Sequence, residues 1–390
     1  MIQKIKTLIE NIKLLVIKPS KTFKKPKKKD IIIYDRDGSE NFIPYFKNYS
    51  YQILDTRGES LNIYILLKAF LKKRFSFMGY VITYLEEASP KIVITFIDDK
   101  FSFYKIKSLY PSTTTIFVQN GYRDCSTFDS IELQRKNFPN LEVDYMFVFN
   151  KHVGEKYSKY IKGMTIPIGS FKCNEYYKEK EISTLDEKTI LFISQYRYHT
   201  NPLDIMHEDI IFKDFYMPET ILLPMLQKYC IENSFNLVIS AHGYNENTDE
   251  YDFYENILGK DDWSIQYKTE KCSSYNALQN VYGVVFIDST LGYESLAINK
   301  RTCAFSARES YINRIGYRFG WSEGLGKKGK FWTDEILQEE FDRVTKFVFE
   351  SPENIWDETL SKMKDDLMEF DKGNVKFTSI IENVLKEDIS

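Results

Sequence analysis

The chain has 390 residues, 43% of them hydrophobic and 28% charged, with a formal net charge of −3. That length exceeds what one core usually serves, so two domains are expected, and the composition excludes a chain disordered over most of its length. The near-neutral balance gives no reason to expect nucleic acid as a partner. Five scattered cysteines (Cys125, Cys173, Cys230, Cys272, Cys303) and four separated histidines (His152, His199, His207, His242) argue against a disulfide framework or a structural metal and fit a reducing cytoplasm.

Residues 1–30 stand apart. "MIQKIKTLIENIKLLVIKPSKTFKKPKKKD" sets Ile5, Leu8, Ile9, Ile12 and Val16 near helical spacing, then turns into a Lys-rich run broken by Pro19 and Pro26. The apolar stretch is too short and too interrupted by lysine to span a bilayer, and it lacks the cleavage site of a signal peptide. Two readings stand: a basic amphipathic tail on the anionic inner leaflet of the membrane, or a helix packed on the protein and followed by a solvated linker.

From residue 31 apolar β-rich runs alternate with helix-like segments, the pattern of a parallel α/β sheet. Strands are predicted at Asp30–Asp35, Tyr51–Thr56, Lys91–Asp98, Thr114–Gly121 and Asp144–Asn150, with helices at Glu59–Lys73 and His152–Ile161. "MTIPIGSFKCN" closes a first Rossmann-like domain, 31–174, and the polar stretch 175–188 reads as a linker. A second alternation fills 189–335: strands Thr189–Tyr196, Phe235–Gly243, Trp263–Lys268, Gly283–Ser289 and Arg301–Ser306, with helices around Pro218–Asn233 and Ser273–Gln279 and another running to Asn299. Residues 336–390, including "TDEILQEEFDRVTKFVFE" and "DETLSKMKDDLMEF", read as polar-faced helices that could pack back on the first domain.

Two doubly wound domains enclose an interdomain cleft, and ligands of open α/β sheets sit beyond the carboxyl ends of the strands. Polar clusters fall there: Asp98-Asp99, Gln119-Asn120-Gly121, Gly169-Ser170, Ser194 to Arg197, His242-Gly243 and Asp288-Ser289-Thr290. In "VVFIDSTLGYESLA" the hydroxyls of Ser289 and Thr290, the amides of a helix start and the small Gly292 suit a phosphate. A capping box is the structural alternative. Three residues beyond Ser289 and Thr290 stand Gly292 and Tyr293, so Glu294 is out of register for that role and could accept hydrogen bonds from a ribose diol.

"STLGYESLA" resembles the nucleotide-binding loop of glycosyltransferases with the GT-B fold. "ITFIDDKFSFY", "IFVQNGYRD", "DYMFVFN…IPIGSF", "ILFISQYR" and "GKFWT" together resemble bacterial surface-carbohydrate biosynthesis transferases of the capsule or O-antigen type, over roughly residues 50–335. The resemblance implies transfer of a sugar from a CMP-, UDP- or GDP-linked donor on the C-terminal domain to a glycan or lipid-linked acceptor on the N-terminal one. With the scattered cysteines and histidines no cofactor and no metal is expected, and the Lys-rich N-terminus points to a cytoplasmic protein peripheral to the inner face of the membrane.

Donor binding is then expected of Ser194, Arg197, His242, Gly243, Ser289, Thr290, Gly292 and Glu294, and acceptor binding of Gln119, Asn120, Gly121, Gly169 and Ser170. Asp98 is the candidate base, with Arg123 and His242 beside the reacting centre. A rival reading takes Asp35 and Asp37 of "IIIYDRDGSE" as nucleophile and acid of a Mg²⁺-dependent haloacid-dehalogenase-type phosphatase. A third is a non-catalytic binding protein of the same fold.

Overall fold

The computed structural model describes residues 20–386 apart from 122, 124, 183–187, 199–202, 204, 208–209, 245–247, 270–272, 313–317, 321–324 and 364–365. The strands of the first half are β1 (Ser20–Thr22), β2 (Ile31–Tyr34), β3 (Tyr51–Leu54), β4 (Ser60–Asn62), β5 (Ile92–Thr95), β6 (Thr114–Val118), β7 (Glu142–Val148) and β8 (Lys162–Pro167). Six of them form one parallel sheet in the order β3-β2-β5-β6-β7-β8.

The apolar runs of this sheet are unbroken because both of its faces are covered. Ile31, Ile33, Ile92 and Ile94 join one buried cluster, while Ile32, Tyr34 and Val93, their neighbours in sequence, join another on the opposite side. Removing each such side chain from water contributes about 1.5–3 kcal/mol. Polar side chains start the helices between strands: Asn62 accepts from the Ile65 amide at 3.1 Å and Asn150 from the Val153 amide at 2.8 Å.

The helix expected over Glu59–Lys73 is divided, because Ser60–Asn62 pairs in parallel with β1 and only Ile63–Leu71 is helical. Residues 20–30, expected to be the polybasic part of a membrane-binding tail or a solvated linker, are therefore docked on the first domain, where the Lys29 amide also donates to the Ala88 carbonyl at 3.0 Å. The remainder of that tail, residues 1–19, lies outside the described residues, as does 183–187 of the expected linker.

The second half carries β9 (Thr189–Ile193), β10 (Ile205–His207), β11 (Ile210–Ile211), β12 (Asn236–Tyr244), β13 (Trp263–Lys268), β14 (Gly283–Phe286), β15 (Thr302–Phe305) and β16 (Trp332–Thr333). Its parallel sheet runs β13-β12-β9-β14-β15-β16. By order of appearance this is 3-2-1-4-5-6, the doubly wound order whose reversal, here between β9 and β14, opens a crevice for ligands.

The last segment returns to the first domain. Helices Gln338–Glu350 and Glu353–Ser361 pack on the second domain, Phe341 lying 5.7 Å from Phe305 and Trp356 5.6 Å from Phe331 between ring centroids. Residues 366–370, expected to be helical, instead run without helix, and Phe370 bridges antiparallel to Gly169. Helix Val375–Lys386 then enters the core of the first domain, with Phe377 4.9 Å from Phe171 and 5.9 Å from Phe42. Among the described residues no helix is long and apolar enough to cross a membrane.

Candidate functional site

A cavity of about 690 Å³ lies between the domains, over the reversal of strand order in the second sheet. Asn41, Asn120 and Lys172 line it from the first domain; Ser194, His242, Lys268, Ser289, Thr290 and Glu294 line it from the second. The two walls come close, since a methyl group placed on Gly121 would sit 3.9 Å from the Thr290 hydroxyl.

The loop after β14 explains its own sequence. Ser289 caps the helix Thr290–Ala297, its Oγ accepting from the Leu291 amide at 3.3 Å, so the cap is made without Glu294. A methyl group on Gly292 would come within 2.2 Å of the Phe286 ring. Gly292, expected among the donor contacts, is thus a packing residue that lets the helix lie on its own strand. Asp288 turns away from the cleft to Arg308, which donates to it from Nε at 2.7 Å and to Glu219 from Nη2 at 2.9 Å.

Glu294 is buried where the two domains meet. Its Oε1 accepts from the Ser170 hydroxyl of the first domain and from the Tyr275 hydroxyl at 2.9 Å. Burial pushes the carboxyl up to about 6, against those hydrogen bonds and the nearby charge of Lys172. Ser170, expected to hold the acceptor, spends its hydroxyl on Glu294 and on capping the helix Phe171–Tyr176, where it accepts from the Cys173 amide at 3.4 Å. Gly169 is placed differently from expectation: its φ is 77°, and a methyl group there would meet the Glu369 carbonyl oxygen at 1.7 Å. It admits the returning C-terminal segment.

Asp98 is fully buried and does not line the cavity. Arg123 grips both of its oxygens, from Nε at 2.7 Å and from Nη2, while the Tyr157 hydroxyl donates at 2.5 Å and the Asn120 amide at 3.0 Å. Buried, outside the cavity lining and with its acceptor positions occupied, Asp98 is corrected from candidate base to the anchor of Arg123 and of the loop after β6. Gln119 is likewise buried, accepting from the Phe149 amide at 2.9 Å and donating to the Gly121 carbonyl at 3.0 Å, so its amide shapes the loop. Asn120 does reach the cleft, where its Oδ1 accepts from Lys172 at 3.3 Å.

On the opposite wall Ser194, His242 and Gly243 are gathered by a residue that sequence reasoning missed. Glu250 is buried and accepts from the Ser194 hydroxyl at 2.6 Å, the His242 amide at 2.9 Å and the Gly243 amide at 3.3 Å. The His242 ring itself opens on the cleft, and desolvation together with Lys268 and Arg197 lowers its pKa to about 4, leaving a neutral imidazole at physiological pH. Lys268 is held below the usual lysine range by burial and by Lys172, with Glu250 pulling the other way. Arg197 is exposed and not part of the cavity wall; its amide donates to the Tyr216 hydroxyl at 2.9 Å.

Lys172 and Lys268 had signals in the sequence. A lysine in the first turn of a helix opposes the helix dipole, and Lys268 ends a strand on the cleft side. Nothing local marked Glu219 or Arg308, which stand 89 residues apart, and Glu250 meets Ser194 across 56 residues although its other partners, His242 and Gly243, are only eight and seven residues away. The rival Asp35 is also placed: buried in a left-handed turn with φ 80°, it accepts from Thr56 at 2.8 Å and Arg57 at 2.9 Å. Arg57 pairs with Asp37 as well, at 3.0 Å. Asp35 is therefore a paired structural carboxylate rather than an open nucleophile. Among the described residues no group of three or more His, Cys, Asp or Glu converges as a metal site.

Comparison with known proteins agrees with this architecture. The model of a family described as "putative O-antigen biosynthesis protein" matches residues 116–385. No curated protein matches. Among solved structures, the wall teichoic acid polymerase TagF is similar at a TM-score of 0.52 and 14% identity, over 94% of this chain and 91% of that one. The UDP-GlcNAc 2-epimerase of Methanocaldococcus jannaschii, solved with UDP-GlcNAc and UDP, is similar at 0.50 and 11% identity, over 92% and 99%. The Neisseria meningitidis UDP-GlcNAc 2-epimerase bound to UDP-GlcNAc is similar at 0.50 and 12%, again over 92% and 99%. At these identities the likeness is one of fold: two Rossmann-like domains in the GT-B arrangement.

Proposed function

The chain belongs to the O-antigen biosynthesis protein family whose model it matches over residues 116–385, and from that membership we propose that it is a glycosyltransferase of surface-glycan synthesis. The reading takes a CMP-, UDP- or GDP-linked sugar as donor and a glycan or lipid-linked glycan as acceptor, at the cytoplasmic face of the membrane. The observation that carries it is the cleft over the strand-order reversal, where the capped loop Ser289-Thr290, the buried Glu294 and two lysines meet. The family and the nucleotide sugars named for the fold relatives support the same choice of ligand.

In this reading the helix start at Thr290 and the ammonium groups of Lys172 and Lys268 stabilise the phosphate or diphosphate of the leaving nucleotide, and no metal does. Glu294 accepts from the ribose diol through the oxygen that neither Ser170 nor Tyr275 uses. The neutral His242 imidazole takes the acceptor proton in place of Asp98, and Asn120 with Arg123 shapes the acceptor side.

The test begins with calorimetry and thermal shift against CMP, CDP, UDP and GDP, since a ligand that binds only the folded state raises the apparent melting temperature. One nucleotide should bind clearly, and Glu294→Ala should weaken it about 10- to 100-fold, the loss expected for hydrogen bonds to a charged group. The donor sugar is then followed by mass spectrometry with an acceptor extract in EDTA. Transfer supports the reading. Inversion at C2 of an unconsumed donor would instead assign an epimerase, and binding without turnover a scaffold.

A further inference from the structure

The helix Ile63–Leu71 is apolar on both sides. Ile65 and Ala69 point into the core, and at 100° per residue Leu66, Leu67, Phe70 and Leu71 fall on the opposite arc. Their exposures are 41%, 60%, 64% and 80%, and Phe75 in the following turn is 73% exposed, packed edge to face on Phe70 at 5.4 Å. Scattered exposed leucines are ordinary on a protein surface, but a contiguous apolar face on a helix that already has a buried side marks an interaction site.

Basic residues outnumber acidic ones around this face. At the C-terminal end of the helix Lys72 and Arg74 share Glu86, at 2.5 Å and 2.9 Å, with Lys73 between them in sequence, and the Lys-rich segment, whose Lys25 pairs with Glu87, is fastened at the start of the helix. The Asn62 side chain, which caps the helix, donates to the Lys24 carbonyl at 3.0 Å, and Lys25 reaches Glu87 at 3.3 Å. Phe23, 69% exposed, lies in the same segment. Lys27, Lys28 and Lys29 follow within the next few residues, so one corner of the first domain combines exposed apolar side chains with a cluster of lysines.

We infer that this corner docks on a bilayer containing anionic lipid, with Leu67, Phe70, Leu71 and Phe75 entering the headgroup boundary and the lysines facing the lipid phosphates. Neither contribution suffices alone: shallow apolar insertion is weak and reversible, and polybasic attraction is screened by salt, but the two together hold a protein at the surface. The inference deepens the functional reading above, which places the acceptor at the membrane, and assigns attachment to a face of the folded domain rather than to residues 1–19 alone.

The experiment uses the full chain and vesicles of phosphatidylethanolamine with one quarter phosphatidylglycerol, read by co-sedimentation. Wild type should bind, and added salt should weaken binding. Leu67→Glu with Leu71→Glu should reduce binding more than about tenfold, with melting temperature and nucleotide affinity unchanged because neither side chain is buried or near the cleft. Equal binding by variant and wild type overturns the inference, as does failure of wild type to bind. A wild-type dimer that the substitutions convert to monomer also overturns it, by assigning the face to a second copy of the chain. Nucleotide binding in the same preparations reports separately on the transferase reading.

Discussion

Three buried carboxylates with unlike partners divide the work at the centre of this molecule. Glu294 is held by two hydroxyls and forms no ion pair, so burial outweighs those hydrogen bonds and the charge of Lys172, and its pKa rises to about 6. The folded chain then binds that proton more tightly than the unfolded chain, so stability falls as pH rises through the interval from about 4.5 to about 6 and stays lower above it. Glu294→Gln keeps an acceptor for Ser170 and Tyr275 but has no charge to bury. Denaturant titrations should find it about 2 kcal/mol more stable than wild type at pH 7.5 and level with it near pH 4. Asp98 is the opposite case, compensated by a bidentate arginine. Asp98→Asn leaves Arg123 buried with its partner charge removed and should cost about 3–5 kcal/mol, read as a lower urea midpoint; unchanged stability would restore Asp98 as a candidate for chemistry. Glu250 is buried and fixes the backbone that carries His242, accepting from the His242 and Gly243 amides.

At the scale of elements, the sheets were legible and the connections less so. Runs such as "IIIY" and "KIVIT" declare buried parallel strands because both faces of each sheet are covered, leaving no polar alternation to mislead. Helix Phe77–Ala88 escaped notice for the same reason, since Val81, Ile82, Thr83, Tyr84 and Leu85 are all buried and erase the amphipathic signal. Ser60–Asn62 was read as helix because its strand partner, Ser20–Thr22, lies far away in sequence. The site divided along the same line. Loop residues after β14 could be found from strand-end chemistry, whereas Asp98, Gln119, Gly169 and Ser170 look functional in sequence and are occupied by partners from other elements. Gly169 illustrates the difference. Gly169→Ala must adopt a left-handed backbone against the Glu369 carbonyl and should lose about 1–3 kcal/mol or more, seen as a lower melting temperature and as cleavage near residues 366–370 in limited proteolysis.

For the whole molecule, the decisive feature is that the two domains are tied twice, once through the chain after Tyr176 and once by the returning segment that ends in helix Val375–Lys386. Phe377 belongs to the core of the first domain, and Phe377→Ala should cost about 3–5 kcal/mol. By differential scanning calorimetry that loss should fall on the transition of the N-terminal domain, and a uniform shift of both transitions would mean that the domains unfold as one unit. The double tie also sets a timetable for synthesis. Lys91 and the Leu385 carbonyl, which meet at 3.3 Å, are 294 residues apart. A ribosome must therefore translate on to residue 385 before Phe377, Ile381 and Leu385 can cover Ile31, Ile33 and Phe42. Domains generally fold in the order in which they emerge, but here the one that emerges first is completed last, and its uncovered sheet face is the surface a nascent-chain chaperone would guard.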